Sequence, residues 1–218
     1  MLKAITFDLD QTLIDFMHWK RVSSDAAAKA MVRAGLPMKV SVAKKKLFTK
    51  YIKDIESDTI FGDFLKENNS YDERILAAGI NAYRRLRFTL LKPYPKVKYV
   101  LAKLKKYKLG IVTDASRLKA FLRLDAMGLS FDYVVGYEDT MKSKPSSFPF
   151  KKMLSLLKVK GPECLHVGDS YKDMAASKLG IITCLARYGS LVDIEADFVV
   201  DRFEDILKVV KRIENKDK

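Results

Sequence analysis

The sequence predicts an α/β fold: a Rossmann-like parallel sheet covered by helices on both faces, interrupted by an inserted all-α domain. Three observations predict it. Short apolar runs ending in polar residues recur along the chain, helical patterns alternate with them from about residue 96 onward, and the segment 16–90 reads as helix after helix without a convincing strand. Runs that are apolar almost throughout suit strands buried on both faces, the usual condition of a parallel sheet. Parallel neighbours in turn require crossover connections, which the intervening helices supply.

The first element is a strand over Leu2 to Leu9, ending in "FDLDQT". The insertion follows, with helical periodicity in "MHWKRVSSDAAAKAMVRAG", "VAKKKLFTKYIKDIE", "FGDFLKENN" and "DERILAAGINAYRRLRFTLL". It is entered near Asp15 and left through Leu91-Lys92-Pro93-Tyr94-Pro95, a proline-marked exit. The predicted domains are therefore a core of residues 1–15 and 91–218 and a helical cap of residues 16–90. In the core, strands are predicted over Lys108 to Thr113, Phe131 to Gly136, Cys164 to Gly168, Ile181 to Leu185 and Asp197 to Val200. Helices alternate with them over Lys96 to Tyr107, Arg117 to Met127, Ser147 to Leu157, Tyr171 to Leu179 and Phe203 to Ile213, and the charged tail "ENKDK" frays.

Composition narrows the function classes. With 218 residues, 48% hydrophobic and 31% charged, the chain has enough apolar material for a sizeable core plus a smaller unit, which excludes a disordered protein. No stretch reaches the length of a membrane span and the N-terminus lacks a signal-peptide pattern, so the expected location is the cytoplasm. Cys164 and Cys184 lie far apart inside apolar runs and read as buried thiols. A net charge of +14 points to an anionic partner, from phosphorylated metabolite to nucleic acid. The lysines are interleaved with apolar residues at helical spacing, and "RRLR" and "KKK" accompany no nucleic-acid-binding module, so solvated helix faces are the better reading.

Ligands of such sheets bind outside the carboxyl ends of the strands. Those ends carry Asp8 and Asp10, Thr113 and Asp114, Lys144 in the loop beyond the third strand, and Asp169 and Asp173. Clustered carboxylates repel one another unless a cation is present, and an all-oxygen site suits Mg²⁺, which leaves room for one carboxylate to act as a nucleophile. In "VTDASR" the Thr113 hydroxyl and the following N–H groups can hold phosphate oxygens at a helix start. The ammonium of Lys144, in "MKSKPSS", can neutralise charge on a transferred phosphoryl group.

"DLDQT", Thr113, the Lys144-Pro145 pair and "GDSYKD", taken in order, resemble the four motifs of the haloacid dehalogenase-like (HAD) hydrolase superfamily over nearly the whole chain. The helical insertion is similar to that family's C1 cap, as in its phosphoglycolate phosphatase-like and sialic acid 9-phosphate phosphatase-like members. The resemblance implies Asp8 as the nucleophile that forms an aspartyl-phosphate, Asp10 as general acid and then general base, and Thr12 as the residue that orients Asp10. It assigns phosphate to Leu9, Thr113, Asp114 and Lys144, and Mg²⁺ to Asp8, Asp169 and the backbone carbonyl of Asp10. Asp173 would orient either Lys144 or the metal's water from behind. The family more often carries Asn where Asp114 stands, so only the Asp114 backbone N–H is expected to serve phosphate.

Beyond the motifs, His18 is a candidate substrate contact, whereas Trp19 is expected to pack within the cap. Arg84, Arg85 and Arg87 point in different directions on a helix, so one or two of them at most can serve an anion. Phe61, Phe64, Phe88, Phe121 and Phe148 recur at core spacing. The expected function is a Mg²⁺-dependent phosphatase of a small phosphorylated metabolite, as monomer or homodimer. A haloacid dehalogenase, a sugar phosphomutase and a basic nucleic-acid-binding protein are the alternatives, and Asp10 argues against the dehalogenase, which has no leaving alcohol to protonate.

Overall fold

The computed structural model describes residues 1–54, 57–87, 91–190 and 192–216, without the side chains of Arg87 and Lys216, so the expectations for Phe88 and for the Arg87 side chain lie outside the described residues. Contacts divide the chain into two compact units, Met1–Asp15 with Lys92–Lys218, and Phe16–Leu91.

Among the described residues the larger unit is built on six parallel strands: β1 (Ala4–Phe7), β2 (Lys108–Val112), β3 (Tyr133–Val135), β4 (Cys164–Gly168), β5 (Ile182–Ala186) and β6 (Phe198–Val200), in spatial order β3-β2-β1-β4-β5-β6. Its helices are α5 (Val97–Lys103), α6 (Arg117–Met127), α7 (Phe148–Leu157), α8 (Tyr171–Met174) and α9 (Ile206–Lys216), numbered after the four of the other unit. β1 is central, with Ala4 opposite both Lys108 and Cys164. Successive β1 residues face opposite sides of the sheet. Ala4 joins a core with Phe150, Met153 and Leu157 of α7, while Phe7 stacks on Phe203 at 5.8 Å, so both faces are covered.

The strands differ from expectation mainly in length. β1 stops at Phe7 because Asp8 to Ile14 forms a loop folded on itself, with Leu13 N–H donating to Leu9 C=O at 2.9 Å. The predicted helix over Tyr171 to Leu179 is four residues of α-helix and then a 3₁₀ turn to Leu179 that ends at Gly180, φ +71°. Phe121 and Phe148, expected in the core, are exposed, because each lies on the outer side of a helix whose inner side is filled by other residues.

Among the described residues the smaller unit holds four helices, α1 (Phe16–Arg33), α2 (Val40–Lys53), α3 (Ile60–Glu67) and α4 (Glu73–Arg87). Its core contains Met31, Leu47, Phe61, Phe64 and Leu65. Gly79 lets α4 approach α1, since a Cβ there would lie 2.2 Å from the Met31 methyl. Trp19 is buried against Phe16 and Tyr83, as expected. Both cysteines are buried thiols, each pushed up to about 12 by burial. Among the described residues no helix is long and apolar enough to cross a membrane.

Candidate active site

The chain runs β1, β2 and β3 outward on one side of the sheet and β4, β5 and β6 on the other, so a crevice opens at the carboxyl ends of β1 and β4, where the order reverses. Asp8 is the first residue beyond β1, and its N–H still donates to Val167 of β4 at 2.9 Å. That bond holds a carboxylate at the mouth of the sheet, at the end of a strand paired on both edges.

Lys144 reaches it from the loop before α7. Its ammonium donates to Asp8 Oδ1 at 2.6 Å, to Asp173 Oδ1 at 2.5 Å and to the Val112 carbonyl at 3.1 Å, using all three of its protons. The side chain is 4% exposed. Asp173, wholly buried, accepts through Oδ2 from the Ser170 hydroxyl at 2.6 Å and the Ser170 N–H at 3.1 Å. Its Oδ1 also lies 3.3 Å from His166 Nε2, and the other nitrogen of that ring is 2.9 Å from the Thr6 hydroxyl. Gly168 makes room for Asp173, since a Cβ at the end of β4 would come within 2.3 Å of the Asp173 side chain.

Asp169 completes the cluster and accepts from the Thr12 hydroxyl at 3.2 Å. Carboxylate oxygens of Asp8, Asp169 and Asp173 lie within 4.8 Å of one another. Burial, reinforced by the charges of Asp173 and Asp169, holds the Asp8 carboxyl well above the usual range even against the pull of Lys144. Burial, then the Asp173 charge, pushes Asp169 up to about 7. Asp173 is buried too, but Lys144 and His166 outweigh that and hold it low, and the two carboxylates in turn hold the Lys144 ammonium charged despite burial. Burial pushes the His166 imidazole below its ordinary value. Three carboxylates thus share one ammonium, which leaves two negative charges. This oxygen-only set with that excess fits one small divalent cation, and the raised Asp8 and Asp169 are the groups it would relieve.

On the β2 side, Thr113 is buried, with its hydroxyl accepting from the Ala115 N–H at 3.2 Å. Asp114 Oδ1 accepts the backbone N–H of Lys144 at 2.8 Å, and its Oδ2 is 3.4 Å from the Lys172 ammonium. The Asp114 carboxylate therefore anchors the loop bearing Lys144. The Lys144-Pro145 bond in that loop is cis.

Asp10 lies in the loop after β1, next to Gln11, which adopts φ +61°. The loop is clamped from the β5 side: the Tyr188 hydroxyl donates to the Thr12 carbonyl at 2.8 Å, and a Cβ at Gly189 would overlap the Gln11 carbonyl at 1.7 Å. Asp10 Oδ2 is bound by Arg123 of α6 at 2.5 Å.

The structure thus brings Asp8, Lys144, Asp169 and Asp173 together. Thr12 is in contact with them, but its hydroxyl donates to Asp169 rather than to Asp10. Leu9 is fully buried beside Asp8, and His18 is exposed on α1 in the helical unit. Arg84 and Arg85 are exposed on α4. Sequence reasoning missed Ser170, His166, Tyr188 and Arg123. The Ser170-x-x-Asp173 spacing is a helix-start signature and could have revealed one of them.

Residues 5–186 match the haloacid dehalogenase-like hydrolase family. The chain is 32% identical to glyceraldehyde 3-phosphate phosphatase from Methanocaldococcus jannaschii, over 98% of this chain and 99% of that one. It is 30% identical to phosphoglycolate phosphatase from Aquifex aeolicus, over 96% and 97%. Among solved structures, magnesium-bound YfnB from Bacillus subtilis shares the fold with a TM-score of 0.72 and 18% identity, covering 96% of this chain and 99% of that one.

Proposed function

The chain belongs to the haloacid dehalogenase-like hydrolase family, and from that premise we propose that it is a Mg²⁺-dependent phosphatase that hydrolyses a small phosphorylated metabolite through an aspartyl-phosphate on Asp8. The observation that carries the reading is the buried cluster in which Lys144 bridges Asp8 and Asp173 beside Asp169, three carboxylates, the nucleophile among them, with one ammonium.

Asp8 and Asp169, with the Asp10 carbonyl, are the groups that would hold the metal, and Mg²⁺ bound there would offset their charge and draw electron density from the phosphoryl oxygens. Lys144 holds Asp8 Oδ1, so Oδ2 is the oxygen that attacks phosphorus. As the new bond forms, the bond from phosphorus to the ester oxygen breaks and Asp10 gives that oxygen a proton. Asp10 then takes a proton from the water that attacks the aspartyl-phosphate, which releases inorganic phosphate and restores Asp8. The Thr113 hydroxyl and the N–H groups of Leu9 and Asp114 hold the phosphoryl oxygens in both steps, and the charge of Lys144 offsets theirs. Asp173 fixes Lys144.

The helical unit is assigned the part of a cap that selects the leaving group, with His18 as its candidate substrate contact. Glyceraldehyde 3-phosphate and phosphoglycolate, named by the relatives, are the first substrates to try. Phosphate release from a panel of phosphorylated metabolites, with Mg²⁺ and with EDTA, tests the reading. Turnover should require Mg²⁺ and vanish in Asp8→Asn; undiminished turnover by that variant sinks the mechanism, and halide release from 2-haloacids in EDTA would favour a dehalogenase.

A further inference from the structure

Helix α6 is turned inside out at one position. It exposes Leu118, Phe121 and Leu122, at 69%, 50% and 38%, while the side chain of Arg123 is 7% exposed. Arg123 lies on the buried stripe with Ala120, Leu124 and Met127, where an amphipathic helix ordinarily places an apolar residue. A guanidinium is expensive to bury, and it persists in such a place only when its charge and hydrogen bonds are met. Here Nη1 bonds Asp10 Oδ2 at 2.5 Å. The neighbouring carboxylates have other cations: Asp8 and Asp173 pair with Lys144, and Asp114 with Lys172.

Asp10 sits on a loop, not on a strand or helix, so backbone geometry alone does not set its carboxylate. The loop is held at the Thr12 carbonyl by Tyr188 and covered at the Gln11 carbonyl by Gly189, and both contacts fix main chain only. Arg123 Nη1 holds the side chain through Oδ2, from a helix that begins at Arg117, four residues after Thr113.

We propose that Arg123 is the positioning residue for the acid–base step: it locks the rotamer of Asp10 so that Oδ1 addresses the ester oxygen, and then the attacking water, while Oδ2 stays on the guanidinium. The proposal rests on the phosphatase reading above. It makes a selective statement, because an ester whose alcohol leaves as a stable anion has little use for a placed acid, whereas an alkyl ester depends on it.

The test uses the full chain with Mg²⁺ and two probes, p-nitrophenyl phosphate and D-glyceraldehyde 3-phosphate. The parameter is kcat/KM, which covers the steps up to departure of the alcohol. Arg123→Gln should lose about 10- to 100-fold on the alkyl ester and less than about threefold on the aryl ester, with KM for both nearly unchanged. Arg123→Lys, which keeps the charge and a donor for Oδ2, should recover part of the loss. Asp10→Asn should show the same selectivity, and the double variant Asp10→Asn/Arg123→Gln, which leaves no lone buried charge, should be no worse than Asp10→Asn alone. Equal losses on the two esters, or losses that multiply in the double variant, overturn the assignment of Arg123. Full activity in Asp8→Asn would instead overturn the phosphatase reading, and this assignment with it.

Discussion

Replacing Asp169 by Asn should stabilise the metal-free protein, and by an amount that depends on pH. Burial and the charge of Asp173 push the Asp169 carboxyl from an ordinary value of 3.8 to about 7. A carboxylate raised in the folded state is held there as the acid, so its ionisation works against folding. The penalty is absent below about pH 4, grows between about pH 4 and 7 and is complete above that. A shift of about three pH units corresponds to roughly 4 kcal/mol. Sharing of protons with Asp8 and Asp173 reduces what one substitution recovers, and about 2 kcal/mol is a fair expectation. For a chain of this length that is a rise in Tm of about 4–8 °C. The amide oxygen of Asn still accepts the Thr12 hydroxyl, so the substitution removes charge and little else.

The assay is thermal unfolding of wild type and Asp169→Asn at pH 5 and pH 8, each with EDTA and with excess Mg²⁺. In EDTA the variant should melt higher at pH 8, with less than half the difference at pH 5. With Mg²⁺ the order should reverse at pH 8, because the cation stabilises only the chain that retains its ligand. A lower Tm for the variant in EDTA at pH 8, or a difference that ignores pH, would refute the electrostatic reasoning. Equal stabilisation of both chains by Mg²⁺ would remove Asp169 from the metal site.

Two further outcomes follow from the same cluster. Lys144→Met leaves Asp8 and Asp173 buried without their shared cation; stability should fall by about 3 kcal/mol, the low end for a broken buried pair because Asp8 can take up a proton, and kcat should drop by at least about 10²-fold, read by urea unfolding and phosphate release. Asp114→Asn keeps an oxygen for the Lys144 N–H, 2.8 Å away, and should change activity only a few-fold, whereas Asp114→Ala frees the loop and should reduce it by about tenfold or more in the same assay.

The larger unit was legible because a parallel sheet leaves a plain imprint: strands covered on both faces are apolar throughout, and the polarity that breaks each run marks the edge where chemistry gathers. Asp8, Lys144 and Asp169 were found in that way, as endings of predicted strands or loops next to them. Roles that depend on which atom meets which were not legible. Thr12 was expected on Asp10 and donates to Asp169; the side chain of Asp114 had no stated role and anchors the Lys144 loop. Arg123 left no signal, because "RLKAFLRLDAM" reads as a helix with its arginines in solvent, and only packing reveals that leucines and a phenylalanine took the outer positions. That same inversion explains why Phe121 was misread.

The placement of β1 sets an order of assembly. It precedes the other five described strands in sequence and is one of the two central ones, yet its partners begin at Lys108 on one side and at Cys164 on the other. During synthesis, both hydrogen-bonding edges of an apolar strand stay open while the helical segment, contiguous from Phe16 to Leu91, has all its own packing partners at hand. The Lys144 ammonium can settle only when residues 8 and 173 are both in place. Hydrolytic activity in a nascent or refolding chain would therefore report the joining of β1, β2 and β4, and a truncation anywhere before β4 should give a folded helical piece attached to a sticky, inactive core.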